Sequence, residues 1–201
     1  MLLPGAAVVR NTAEVLAIAE QSADDVTIFG ALIIRGMALI HRDGADRQAG
    51  FEFLARMRER ALSDGFSLLA LPIADIHVAQ EKTRTGDLDG AIAQVREVLD
   101  GLYDSGGSIW CALATTVLVE ALIQRGGEED LREAEAAIER LAAWPTDPGL
   151  VLHEITLLRV RALLARSRGD AIAYRDYRDR YRAMATSLGF EGHMKWAEEM
   201  D

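Results

Sequence analysis

MALIHRDG at residues 37–44 and EALIQRGG at residues 120–127 are two versions of one phrase: small and branched aliphatic residues, then Arg, then Gly. Looser versions read VAQEKTRTG at 78–86 and RALLARSRG at 161–169. Their glycines, Gly44, Gly86, Gly127 and Gly169, fall 42, 41 and 42 residues apart. A near-constant period in this range marks a repeat architecture. After Gly86, the residues Leu88, Ala91, Ile92, Val95, Val98, Leu99 and Leu102 recur at helical spacing and form one apolar stripe. Asp87 or Asp89 stands ready to cap that helix. Before Gly86, residues 66–85 are apolar over more of their circumference, as a helix packed on several sides requires. A glycine just past a helix end can take the left-handed conformation that closes the helix, and a short loop then returns the chain antiparallel. Each repeat is therefore a helical hairpin.

Carried along the chain, the period predicts hairpins near 24–63, 66–104, 108–143 and 148–187. Asp147 and Pro148 suit an N-cap followed by a first-turn proline. Pro72 is expected to kink its helix or delay its start. Asn11 to Glu14 resembles a capping box that opens a helix over 11–22 with no partner before it. Residues 190–200 read as a terminal helix whose apolar face uses Met194, Trp196 and Ala197 with Phe190. The expected fold is all-α: a right-handed α-α superhelix, one domain over 1–201, with about four hairpins and a helix at each end. The unmatched first helix suggests the C-terminal piece of a longer array, and its unfinished apolar side makes a homodimer plausible.

Composition agrees with helices. Of 201 residues, 50% are hydrophobic and 27% charged; 32 Ala and 25 Leu stand against four Pro. The net charge of −10 would repel a phosphate backbone, which argues against nucleic acid as a partner. Met1 to Val9 lacks a basic n-region and is broken by Pro4 and Gly5, so it does not read as a secretory signal. The longest apolar run, 109–123, is too short to span a bilayer. The expected setting is the cytoplasm, without membrane contact. A lone Cys111 excludes an intramolecular disulfide and an all-Cys zinc site.

RTGDLDGAIAQVREVL at 84–99 resembles the turn and second helix of a tetratricopeptide repeat, where small residues such as Gly86 and Ala91 let helices approach closely. Three longer phrases, NTAEVLAIAEQSADDV, LPIADIHVAQEK and YRAMATSLGFEGHMKWAEEM, resemble the C-terminal region of actinobacterial (mycobacterial-type) multidomain adenylate/guanylate cyclase–ATPase proteins. The resemblance implies a regulatory repeat region whose chemistry lies upstream. The chain itself carries no GxxxxGK[ST] loop, and neither Lys82 nor Lys195 follows a glycine-rich turn.

Motifs that suggest chemistry have plainer readings beside them. Asp87-Leu-Asp89-Gly90 resembles part of a calcium loop, but position 12 would be Arg96 where a bidentate acid is needed. His153-Glu154 opens an HExxH motif that Leu157 leaves unfinished. His77 and Glu81, four apart, form a possible relay or ligand pair, or a simple helix-face contact. Cys111 follows Trp110 in an apolar helix with no electropositive neighbour to activate it. RDYRDRYR at 175–182 interleaves basic and aromatic residues, but Tyr174, Tyr177 and Tyr181 also make a packing stripe.

Six polar residues interrupt the apolar first helices of the hairpins: Arg35, His77, Glu81, Glu120, His153 and Arg159. First helices of stacked hairpins line the concave surface of such arrays, so this set is expected to form a partner groove. Buried, paired structural roles compete with that reading. The expected function is non-catalytic: protein or peptide binding, or contact with other domains of a cyclase–ATPase chain, with no metal or cofactor. A free-standing scaffold and a small-molecule sensor or enzyme using His77, Glu81 and His153 are the alternatives.

Overall fold

Helix is the only regular structure among the described residues of this computed structural model, which are 6–22, 24–40, 42, 44–64, 71–106, 110–145 and 150–200. The elements are α1 Ala6–Ser22, α2 Asp25–Ile40, α3 Gly44–Asp64, α4 Leu71–Thr85, α5 Leu88–Asp104, α6 Trp110–Arg125, α7 Glu128–Ala143, α8 Val151–Ser167, α9 Ala171–Leu188 and α10 Glu191–Glu198. None of these is long and apolar enough to cross a membrane. The proline at position 72 is the second residue of α4 as described, within a first turn where a missing N–H costs nothing. Asp147 and Pro148 lie outside the described residues.

The turns follow the glycines. Gly86 and Gly169 have φ of 90° and 74°, the left-handed backbone that closes a helix, while Gly44, at 60°, is the first residue of α3. In the remaining copy the left-handed residue is Gly126, at 79°, rather than Gly127. Gly127 is instead the N-cap of α7, with ordinary extended backbone, and its N–H donates to Asp130 at 3.0 Å. Two adjacent glycines share the work of one turn: the first ends α6 and the second begins α7. Asp87 is the cap of α5, accepting from the Gly90 N–H at 3.1 Å. Asp89 turns outward and pairs with Arg125.

At the other end, α1 begins at Ala6, so Asn11 lies inside the helix and does not cap it. Contact with α2 extends it: the Arg35 guanidinium donates to the Val9 carbonyl and, at 3.1 Å, to the Thr12 hydroxyl. A tertiary bond thus holds a first turn that the local capping pattern did not mark.

The chain divides into two compact units, residues 1–81 and 82–201. In the first, α1 packs on α2 and α2 on α3. Its core joins Leu16 and Ala19 to Phe29, Leu32, Leu54, Met57 and Ala74. In the second, α6 is the central element and packs against α5, α7 and α8; α8 carries α9, and α9 carries α10. Nine residues of α6 are buried, from Cys111 to Leu122. By contrast α7 buries only Asp130, Ala134, Ile138 and Leu141, one stripe of an otherwise polar helix.

Ion pairs link the polar faces of the second unit. Arg96 meets Glu133 at 2.5 Å and Arg140 meets Asp100 at 2.9 Å, both joining α5 to α7. Arg125, ending α6, bridges Asp130 and Asp89 at 2.6 Å each, and Arg168, just past α8, reaches Glu135 of α7 at 2.9 Å. Arg125 and Arg168 belong to the Arg-before-Gly phrase, so in these two copies the phrase carries a clamp as well as a turn. Each exposed pair contributes no more than about 1 kcal/mol.

The same substitution at two glycines should have opposite signs. Gly126→Ala forces a Cβ onto left-handed backbone and should cost about 1–2 kcal/mol. Gly101→Ala lies within α5 with nothing within 4 Å of the added Cβ, and should stabilise by about 0.5–1 kcal/mol. Chemical denaturation of both variants checks this; equal effects would contradict the turn assignment.

Candidate functional site

The six polar residues of the first helices take distinct positions. In the first unit, Arg35 is bound to α1 as described. His77 and Glu81 are both buried, and the Glu81 carboxylate is only 1% exposed. Glu81 takes its counter-charge from α3, with Arg47 Nε at 2.8 Å. A carboxylate that deep requires a paired cation, because leaving it alone costs several kcal/mol. Of the two readings of His77 and Glu81, a relay or a helix-face contact, either must share the acid with Arg47, a residue the sequence pattern did not single out.

In the second unit, Glu120 of α6 and Arg159 of α8 meet at 2.5 Å and are 29% and 13% exposed. The Arg159 guanidinium also lies over the Trp196 ring of α10, 4.6 Å from its centroid. Such stacking on an indole face is worth about 0.5–2 kcal/mol. His153, near the start of α8, is buried against Trp144, with ring centroids 6.3 Å apart. Its Nδ1 is buried without a hydrogen-bond partner, and burial lowers its pKa. Of the six, the structure brings together Glu120 and Arg159.

Around that pair stands a cluster the sequence did not single out. His193 of α10 lies edge-on to Trp196, with centroids 5.1 Å apart, and its Nδ1 is 2.8 Å from the Tyr181 hydroxyl of α9. Tyr181 is fully buried. Burial pushes its phenol up to about 12, and burial together with the Arg159 charge pushes His193 down to about 4. With His193 neutral and protonated on Nε2, Tyr181 donates to Nδ1. A general acid or base works best with a pKa near the working pH. These two are displaced from neutrality in opposite directions, so the pair is suited to holding α10 in place rather than to moving a proton.

Other bonds fix the same helix. The Tyr174 hydroxyl donates to the Met200 carbonyl, and Arg182 donates to the Ala197 carbonyl at 3.0 Å. The RDYRDRYR stretch therefore acts through its tyrosines: Tyr181 is core, with Tyr174 and Tyr177 packed against it. Its charges are offset locally, with Arg178 paired to Asp179 and Arg180 to Asp176. Cys111 is buried. Among the described residues no group of three or more His, Cys, Asp or Glu is placed to hold a metal ion. The face of α1 considered for self-association bears Val15 and Ile18, which are 45% and 59% exposed.

No family model matches the chain, and no curated protein or solved structure matches it.

The depressed histidines give a signed pH dependence. In the unfolded chain a histidine takes up its proton as pH falls through about 6.5, whereas folded His193 resists until about 4. The unfolded state then binds more protons, so stability is fully present above about 6.5 and is lost progressively towards pH 4. His153 is shifted the same way. With solvent screening, the expected loss between pH 7 and 4.5 is about 1–2 kcal/mol. Melting curves at both pH values should show it in the native chain and largely abolish it in His153→Gln/His193→Gln. An equal slope in the double variant would contradict the assignment.

Proposed function

We propose that the chain is a right-handed α-α superhelix of about four tetratricopeptide-like hairpins, acting as a non-catalytic interaction and regulatory module. In this proposal its place is the C-terminal part of a nucleotide cyclase–ATPase signalling protein. The supporting observation is the environment of α6, which is covered by the helix before it, the helix after it and the first helix of the following hairpin. Nearest-neighbour burial of this kind is how stacked repeats are stabilised. The turn glycines recurring at Gly86, Gly126 and Gly169 accompany it.

In this reading the module works by shape. Stacked hairpins are joined by modest interfaces, so small changes at each alter curvature, and a partner that prefers one curvature shifts the population towards it. Within the proposed groove set, Arg35 and Glu81 are already engaged internally. The partly exposed Glu120–Arg159 pair is the member that a partner's charge can reach and compete for. A partner acid drawn to Arg159 would release Glu120 and disturb the Trp196 contact, which links binding to the docking of α10.

The test is removal of residues 1–201 from the multidomain protein, with ATPase and cyclase rates measured before and after. A change of about threefold or more in either rate is expected. Unchanged rates would reject the regulatory role and leave the scaffold reading.

A further inference from the structure

A cavity of about 280 Å³ opens between α5, α6 and α7 in the second unit. It is separate from the Arg159 cluster and is lined chiefly by apolar atoms, among them those of Leu99, Leu118 and Ala137. Its volume lies just below the range usual for small-molecule sites, about 300–1,000 Å³. Two uncharged polar side chains are among the lining: the Tyr103 phenol from α5 and the Thr115 hydroxyl from α6.

Neither hydroxyl is satisfied. Thr115 is 1% exposed, and both its Oγ1 and the Tyr103 hydroxyl are buried without a hydrogen-bond partner. They stand close enough for Thr115 to temper the upward shift that burial imposes on the phenol, yet they make no hydrogen bond of good geometry with each other. The next residue shows what a helical threonine ordinarily does: Thr116 donates back to the Ala112 carbonyl at 3.0 Å. Thr115 makes no such bond. Native proteins rarely bury hydroxyls unpaired, so the two oxygens call for a partner, water or ligand, in the cavity beside them.

The lining also says what kind of molecule. Arg96 and Arg140 lie at the cavity, but Glu133 and Asp100 lie there too and neutralise them. Arg140 is further occupied by the Tyr103 ring, with its guanidinium carbon 3.9 Å from the centroid. No free positive charge remains in the lining to offset the desolvation of an anion, and no free negative charge to offset that of a cation. Both hydroxyls belong to lining residues, and each can donate. A carbonyl oxygen has two lone pairs and accepts from both at once, whereas a ligand hydroxyl accepts equally well but brings an O–H of its own that needs an acceptor.

We propose that this cavity is a binding site for a small, neutral, mainly apolar carbonyl compound, such as a ketone, ester or lactone, whose oxygen accepts hydrogen bonds from Tyr103 and Thr115. The acyl or alkyl body lies against Leu99, Leu118 and Ala137. Because the site is built from three successive helices of the second unit, occupancy stiffens the packing of α5 and α7 on α6. It would give the module a chemical input in addition to any protein partner.

The probes are 2-heptanone, 1-heptanol and heptanoate, titrated into the full-length chain and followed by calorimetry and by chemical-shift changes at α5, α6 and α7. The expected result is saturable one-site binding of 2-heptanone, weaker binding of the alcohol, and heptanoate weaker by at least about tenfold. Thr115→Val and Tyr103→Phe each remove a donor while keeping shape, and each should weaken 2-heptanone about tenfold, or about 1.4 kcal/mol. Ala137→Leu, at a half-buried position, should fill the cavity and abolish binding. Circular dichroism and melting of every variant check that the fold is kept. Absence of saturable binding, heptanoate binding as tightly as the ketone, or unaltered binding in the folded Thr115→Val, Tyr103→Phe and Ala137→Leu variants would each overturn the proposal, leaving a water-filled recess.

Discussion

A helix that is apolar on every side cannot exist alone in water, and α6 is such a helix. Its sixteen residues bury nine, including Cys111, Val117, Val119 and Leu122, and only Arg125 and Glu120 add charge. Removing that much apolar surface from water requires cover on several sides at once. The cover comes from α5, α7 and α8. Small residues make the approach close enough: Ala91 on α5, Ala114 and Ala121 on α6, Ala134 on α7 and Ala162 on α8 are all fully buried. The abundance of alanine in the sequence is therefore a packing feature and not merely a helix-forming one.

Once α6 is buried, the rest of the second unit follows from it. Of the helices that cover it, α5 and α7 turn one stripe inward and leave a polar face outward, and those polar faces carry the Arg–acid pairs, one of them to Arg168 just past α8. The pairs add little energy individually, but they select which stripe faces in. The end of the chain is secured differently. There α10 is too short to hold its own position, and it is held by side chains from α8 and α9: Arg159 over the Trp196 ring, Tyr181 against His193, and Arg182 on the Ala197 carbonyl.

Much of the fold was legible from periodicity. The all-helical content and a cap at Asp87 or Asp89 follow from spacing and cap chemistry, which are local and survive in a one-dimensional reading; which of the two aspartates caps does not. The adjacent Gly126 and Gly127 defeated it, since either fits the period and only backbone conformation distinguishes them. The start of α1 depends on Arg35, which is distant in sequence. The polar residues were less legible still. The Arg47–Glu81 and Tyr181–His193 contacts join positions with no common period, and no pattern announces them. Thr115 was concealed by its setting, because a threonine within an apolar run reads as a tolerated core residue until its missing partner is seen.

Native-state hydrogen exchange on the full-length chain tests the account most directly, because it reports burial helix by helix. If α6 is the element on which its neighbours depend, its central amides, from Ala114 to Leu122, should be the slowest to exchange in the second unit. Those of α7 and α10 should exchange faster, by local opening that leaves α6 protected. Exchange of α6 at the rate of α7, or protection concentrated in α10, would contradict it.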